Sequence, residues 1–336
     1  MPDLPRVSVA GGSVASEQLG RTLLHEHLVV TSPEVWASWT ALLGSRAALV
    51  DRAAAELAAI KSEHGIDTIV DVSTPDMGRN IEFIEEVSAR SGVAVVVATG
   101  SWLRPPRSYL ERDDEQLARY FVAEIEDGIE GGPSRAGVIK VASGRHLDDG
   151  ATKIFRAAAL AHQATGVPII AHGEVGPRQH PLLADLLESL GVSPGSVCLA
   201  HVHDTNDYGY LADLAERGYW LGLDRFPGAF RGGASPAERI GQVERLAADG
   251  YAAQLCVSHD WCTRTTLMTD ADERRYRDAY NPDGFSYCHR RLVPELGRRG
   301  LAGLEERLFV DNPRRFLAPR TSRPARASAQ APPAAG

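Results

Sequence analysis

The sequence predicts a single (β/α)8 TIM barrel with its chemistry at the C-terminal ends of the strands. Three observations predict it. Eight apolar β-type runs recur along the chain, most of them continuous rather than alternating, as strands covered on both faces should be. Longer amphipathic stretches separate these runs. No Gly-rich phosphate fingerprint follows any run, which favours a closed barrel over an open doubly wound sheet.

The strands are expected at Thr22–Val30, Thr68–Val72, Val93–Thr99, Gly137–Val141, Val167–Ala171, Val197–Ala200, Tyr219–Leu223 and Gln254–Val257. Helical patterns fall between them at Arg46–His64, Ile81–Arg90, Asp114–Glu130, Lys153–Thr165, Leu182–Leu190 and Tyr208–Arg217. Several stop just before a glycine, which supplies the left-handed conformation that closes a helix. One domain is expected over residues 1–319. The remaining stretch, 320–336, is Ala, Pro, Ser and Arg with almost nothing to bury, and is expected to be disordered.

Composition narrows the function classes. At 43% hydrophobic residues the chain can build a large core. A formal net charge of -8 argues against nucleic acid or an anionic membrane surface as partner. No run of about 18 apolar residues offers a membrane span. No secretory pattern opens the chain, so the cytoplasm is the expected location. Cys198, Cys256, Cys262 and Cys288 form neither a disulfide framework nor a CxxC pair, and Cys198 and Cys256 read as small buried hydrophobes.

His25-Glu26-His27 lies on the first strand, where side chains two apart share a side. Both imidazoles therefore enter the barrel together and make half of a metal site, or a pair of hydrogen-bonded core histidines. His172 and His201 end the fifth and sixth strands, and Asp260 follows the eighth. Strand ends meet on the active-site face of such a barrel, so these residues are expected to converge. Taken singly, each histidine could be a satisfied core residue and Asp260 a helix cap. Lys140, one of only three lysines, sits in the apolar run Gly137–Ala142. Burial pushes an amine toward its neutral form, which can add carbon dioxide to give a carbamate able to bridge two cations. The other reading is a lysine snorkelling at the rim.

These residues resemble the phosphotriesterase family of the amidohydrolase superfamily, over nearly the whole chain to about Pro319. The segments that carry the resemblance are Thr22-Leu-Leu-His-Glu-His27, Asp71-Val-Ser-Thr74 with Gly78-Arg-Asn80, Ala98-Thr-Gly-Ser-Trp102, Ala136-Gly-Val-Ile-Lys140, Thr165-Gly-Val-Pro168 leading to His172, Gly222-Leu-Asp-Arg225, Val257-Ser-His-Asp260, Asn281-Pro-Asp-Gly284 and Asn312-Pro313. The resemblance implies two divalent metal ions. His25, His27 and Asp260 would hold a buried one, and His172 and His201 a more exposed one. Carboxylated Lys140 and a hydroxide would bridge them, and Asp260 would take the proton of the attacking hydroxide. Zinc suits imidazole and carboxylate, and manganese, cobalt or iron would fit the same ligands. His203 is a rival to His201. His259 is expected to point away from Asp260. His64, His146, His162, His180 and His289 are expected to be ordinary surface residues.

Substrate cues conflict. Trp102 matches an aromatic that lines the pocket in the family. At Arg225 the family's efficient phosphotriesterases carry histidine, and its lactonase-like relatives arginine. Asp204 is expected to pair with Arg225. The long excursion Trp261–Tyr280, expected to be a loop with a helical piece over the pocket mouth, resembles phosphotriesterases. The first expectation is therefore an ester or lactone hydrolase with incidental phosphotriesterase activity, acting on a small molecule. A dedicated aryldialkylphosphatase, an amidase on small N-acyl compounds and an inactive binding barrel are the alternatives. A homodimer through Trp36, Trp39 or the aromatics near Phe226 is a further possibility.

Overall fold

The computed structural model describes residues 5–228 and 233–319. The expected tail, 320–336, lies outside the described residues. Eight parallel strands alternate with helices in the predicted order: β1 (Arg21–Val30), β2 (Ile66–Asp71), β3 (Ala94–Ser101), β4 (Ala136–Ala142), β5 (Ile169–His172), β6 (Val197–Ala200), β7 (Trp220–Leu223) and β8 (Leu255–Val257). The helices between them are α1 (Arg46–His64), α2 (Ile81–Ser91), α3 (Asp114–Glu126), α4 (Asp149–Thr165), α5 (Gln179–Ser189), α6 (Tyr208–Glu216) and α7 (Pro236–Ala248).

Closure falls at the site end. The Asp260 N–H donates to the His25 carbonyl and the His27 N–H to that of Trp261. A ninth strand that the sequence did not predict, β9 (Cys262–Thr265), then pairs in parallel with β1, Cys262 opposite His27. The barrel is the predicted α/β fold, and the Trp261–Tyr280 excursion consists of β9 followed by helix α8 (Asp270–Ala279).

The core has two layers. One, between strands and helices, takes the outward residues of each strand, such as Leu23, Ile139, Ile169, Leu199 and Val257. The other fills the barrel interior with Leu24, Val96, Val138, Ile170, Cys198, Ala200 and Cys256. An N-terminal hairpin, Arg6–Val9 with Gly12–Ala15, also unpredicted, packs Val7 and Val9 into the lower end of that interior. With one end plugged by apolar side chains, polar groups can gather only at the other.

On β1 and β6, departures from simple alternation place site residues. On β1, Leu24 belongs to the interior, so strict alternation would turn His25 outward. The register with β2 slips between Leu23 and Glu26, which pair with Ile69 and Asp71. One extra residue on β1 reverses its facing. On β6, Cys198 and Ala200 face inward, and His201 is brought in by a left-handed backbone (φ 66°).

Candidate metal centre

His25, His27, Lys140, His172, His201 and Asp260 meet at the C-terminal mouth of the barrel, each at most intermediate in exposure. The Asp260 carboxylate lies at the centre. Its Oδ1 is 3.2 Å from His27 Nε2 and 3.5 Å from His25 Nε2, and its Oδ2 is 4.0 Å from His201 Nε2. Lys140 Nζ stands 3.2 Å from His25 Nε2, and His172 Nδ1 stands 2.9 Å from His201 Nε2. The His25–His27–Asp260 group is compact enough to hold a metal ion.

The donor set fits a metal because most of the imidazoles are tied from behind. His25 Nδ1 faces Asp224 Oδ2 at 2.7 Å, His201 Nδ1 faces Asp224 Oδ1 at 2.9 Å, and His27 Nδ1 faces the Ser73 hydroxyl at 2.8 Å. Such partners fix the tautomer and leave the other nitrogen free to coordinate. His25, His201 and Asp224 also form a compact trio. Asp224 is better read as the orienter of both rings than as a ligand, because Oδ1 also accepts the His201 backbone N–H.

Electrostatics point the same way. Burial, then Lys140, lowers the His25 pKa. Burial, then Arg225, pushes His172 and His201 well below the usual imidazole range. Neutral imidazole is the form that binds metals. Lys140, 1% exposed, is no snorkelling residue; burial pushes its amine down to about 8 against the pull of Asp260 and Asp224. Burial opposes ionisation of Asp224 and Asp260, but His25 holds Asp224 down at about 2, and His201 and Arg225 hold Asp260 well below the carboxylate range.

Asp260 itself has a left-handed backbone (φ 53°), a conformation that costs an ordinary residue about 1 kcal/mol. Glu26, facing the opposite way from His25 and His27, supports it. The Glu26 carboxylate accepts from the Ser258 hydroxyl, from the His259 backbone and Nδ1, and from the Trp261 N–H. His259 Nε2 in turn accepts the Cys288 N–H, so this ring points away from the donors. His203 also turns away: its Nε2 accepts the Arg225 N–H, and its ring packs on Phe226.

Arg225 bridges outward from the centre. Its Nε donates to Asp260 Oδ2 at 2.9 Å and its Nη1 to Asp204 Oδ2 at 2.8 Å. Arg239, fully buried, donates to the other Asp204 oxygen. Asp204 therefore joins Arg225 as expected, with Arg239 as an unforeseen third member. Above the centre opens a cavity of about 670 Å³ lined by Trp102, Leu103, Met77, Leu267, Met268 and Tyr276 among others. Trp102 stands edge-on to His172, and both Asp76 oxygens accept its backbone N–H. The last three lining residues come from the excursion, which Glu273 clasps to Arg264 and Arg277.

Two surface expectations are corrected. His180 is fully buried, because α5 starts three residues earlier than the pattern suggested and turns this ring beneath the fifth and sixth strand ends. His289 is buried between His64 and Phe309 because the segment after α8 packs on the barrel. Sequence reasoning also passed over Asp224, Ser73 and Glu26 as working residues. Asp224 had the readable signal: it follows β7 directly, the same strand-end position as the other candidates.

A model of the phosphotriesterase family matches residues 5–317. An aryldialkylphosphatase of Saccharolobus solfataricus is 30% identical over 93% of this chain and 99% of its own length. A phosphotriesterase homology protein of Mycobacterium tuberculosis is 31% identical over 94% of this chain and 98% of its own. An N-acetyltaurine hydrolase of Mus musculus is 25% identical over 93% and 97% respectively.

Proposed function

Since the chain belongs to the phosphotriesterase family of metal-dependent hydrolases, we propose that it is a two-metal hydrolase of carboxylic esters or lactones with secondary activity on phosphotriesters. His25, His27 and Asp260 would hold the inner ion, His172 and His201 the outer one, and Lys140 would bridge them as a carbamate formed from its neutral amine and carbon dioxide with release of a proton. Two divalent ions, zinc first because its ligands suit it, would supply Lewis-acid polarisation of a carbonyl or phosphoryl oxygen and lower the pKa of water.

The rest is the work of the chain's own side chains. Asp260, ionised and held between His27 and Arg225, takes the proton of the attacking water on a carboxylate oxygen. Arg225 keeps that carboxylate oriented, and Asp204 keeps Arg225 extended toward it. Trp102, Leu103 and the residues of the excursion give the substrate an apolar seat and exclude water.

The observation that carries the ester reading is Arg225 locked between two carboxylates beside the centre. A planar, doubly hydrogen-bonded guanidinium suits a flat carbonyl approaching the outer position better than a mobile imidazole would. The amidase alternative draws on the relative that hydrolyses N-acetyltaurine. A sulfonate end would need a cation with its charge uncommitted, and among the described lining residues Arg225 is already paired with two carboxylates and Lys140 lies against His25.

Lactones, aryl esters, dialkyl aryl phosphates and N-acyl amino sulfonates should be compared by kcat/KM. Lactones or esters should lead. High turnover restricted to triesters, or to N-acyl sulfonates, would sink the reading. Arg225→His should move the triester-to-lactone ratio toward triesters by about tenfold, ~1.4 kcal/mol of differential transition-state binding; an unchanged ratio would make Arg225 structural. The proposal also covers residues 1–319 as one catalytic domain in the cytoplasm. A homodimer is included, for which Trp39, 57% exposed, is the natural contact. Among the described residues no helix is long and apolar enough to cross a membrane.

A further inference from the structure

The outer position depends on one histidine whose backbone has to leave strand geometry. Ala200 faces the barrel interior, so the next residue of an ordinary strand would face the helices. His201 faces inward because its φ is 66°, a conformation that non-glycine residues adopt only when their surroundings impose it.

The surroundings act on a single peptide unit. On one side of the Ala200–His201 bond, the His201 N–H donates to Asp224 Oδ1 at 2.8 Å. On the other, the Ala200 carbonyl accepts from His180 Nε2 at 2.7 Å. A peptide is planar, so holding its N–H and its C=O fixes the orientation of the whole unit and with it the turn at His201. His180 can donate from Nε2 only if Nδ1 carries no proton, and the Tyr210 hydroxyl, 2.5 Å from Nδ1, supplies the donor that selects this tautomer.

The same ring also abuts the other outer residue. Gly173, directly after His172, has no side chain, and a Cβ there would lie 3.0 Å from His180 Nε2. His180 is fully buried, as is Tyr210 apart from a trace, and neither touches the pocket. The inner residues are held by other groups: His27 Nδ1 meets the Ser73 hydroxyl, and Glu26 on β1 holds the Asp260 segment through the Trp261 N–H.

We infer that His180, with its tautomer set by Tyr210, is a positioning residue for the outer metal position, holding His201 in its left-handed turn and seating the His172–Gly173 backbone. This rests on the two-metal reading above. The loss of His180 should therefore weaken one metal and spare the other.

The test is calorimetric titration of zinc into the metal-stripped full chain, followed by elemental analysis. The wild type should show two zinc sites; fewer than two would overturn the two-metal reading itself. In His180→Ala one site should weaken by about 10–100-fold, the range typical of groups that orient a metal ligand, while the other keeps its affinity. His180→Gln, whose amide N–H can reach the Ala200 carbonyl, should restore most of the loss. Tyr210→Phe should fall between, because the ring stays but its tautomer is free.

His172→Ala identifies the outer site. Adding His180→Ala to it should leave the remaining site unchanged. With two sites in the wild type, the inference is overturned if His180→Ala titrates like the wild type or weakens both sites equally. Should His180→Ala fail to fold, Tyr210→Phe decides: wild-type affinity at both sites overturns the inference, and selective weakening of one sustains it.

Discussion

The two halves of the proposed two-metal centre are built differently. The inner half takes both histidines from one strand, β1, where a single extra residue turns His25 and His27 inward as a unit. Both backbone N–H groups stay hydrogen-bonded, that of His25 to the Ser258 hydroxyl and that of His27 to the Trp261 carbonyl. The outer half takes its histidines from two strands, and His201 must abandon strand geometry to arrive. A bulge spreads its cost over a hydrogen-bonded ladder, whereas a left-handed residue concentrates it at one position. The inner half also contains a left-handed residue, Asp260, in the segment that Glu26 holds, so the halves differ in where that conformation falls: on the carboxylate in the inner one and on a histidine in the outer.

The largest expected effect removes the proposed bridge between the halves. Lys140→Ala should abolish turnover and lower metal content at both positions, with partial rescue by short carboxylic acids that replace the missing carbamate oxygens. Activity assays with and without added acid, beside elemental analysis, check this. Unchanged activity would remove Lys140 from the centre.

Next comes a pair of substitutions that separates the halves. Asp224→Asn alters a carboxylate that holds His25 and His201 together, so both metals should weaken, by about 10–100-fold. Ser73→Ala removes a partner of His27 alone and should weaken only the inner one. Zinc titrations that show the same pattern for both variants would dissolve the distinction between the halves.

The smallest effect lies outside the centre. His289 is buried with neither ring nitrogen hydrogen-bonded, and burial pushes its pKa down to about 3. Its folded pKa is below that of the unfolded chain, near 6.5, so the unfolded state binds the extra proton between these values. Stability from this group is intact above about pH 6.5 and declines as pH falls toward 3. His289→Phe should shrink the loss of Tm between pH 7.5 and pH 5 by about 1–2 °C, the size expected of ~1 kcal/mol in a chain of 336 residues. A pH dependence equal to that of the wild type would show that acid acts through other groups. The ring packs at a tilt against Phe309 and stacks on His64, so phenylalanine is the least disruptive replacement.

Much of this site was legible in the residues. His25 and His27 share a side because strands alternate. His172, His201 and Asp260 fall where a parallel barrel exposes its strand ends. Lys140 in an apolar run left a buried amine and a snorkelling one open, and its burial came only with the structure. Asp224 could have been included by the same strand-end argument. His180 could not, because the rule that locates helices from apolar spacing did not reach the first turn of α5, where it lies, and Tyr210 matters only through that ring, 30 residues away. Ser73 and Glu26 matter only through partners 46 and more than 230 residues away.

By itself, then, the sequence determined the order of the eight barrel strands and the helices between them, the side chains that converge at the strand ends and the pairing of His25 with His27. Only the tertiary structure decided which way those donors face. Alternation shows that two residues share a side, not which side it is. That choice was made by an extra residue in β1, set against the register of β2, and by the Ala200–His201 peptide, gripped between Asp224 and His180 from two separate elements.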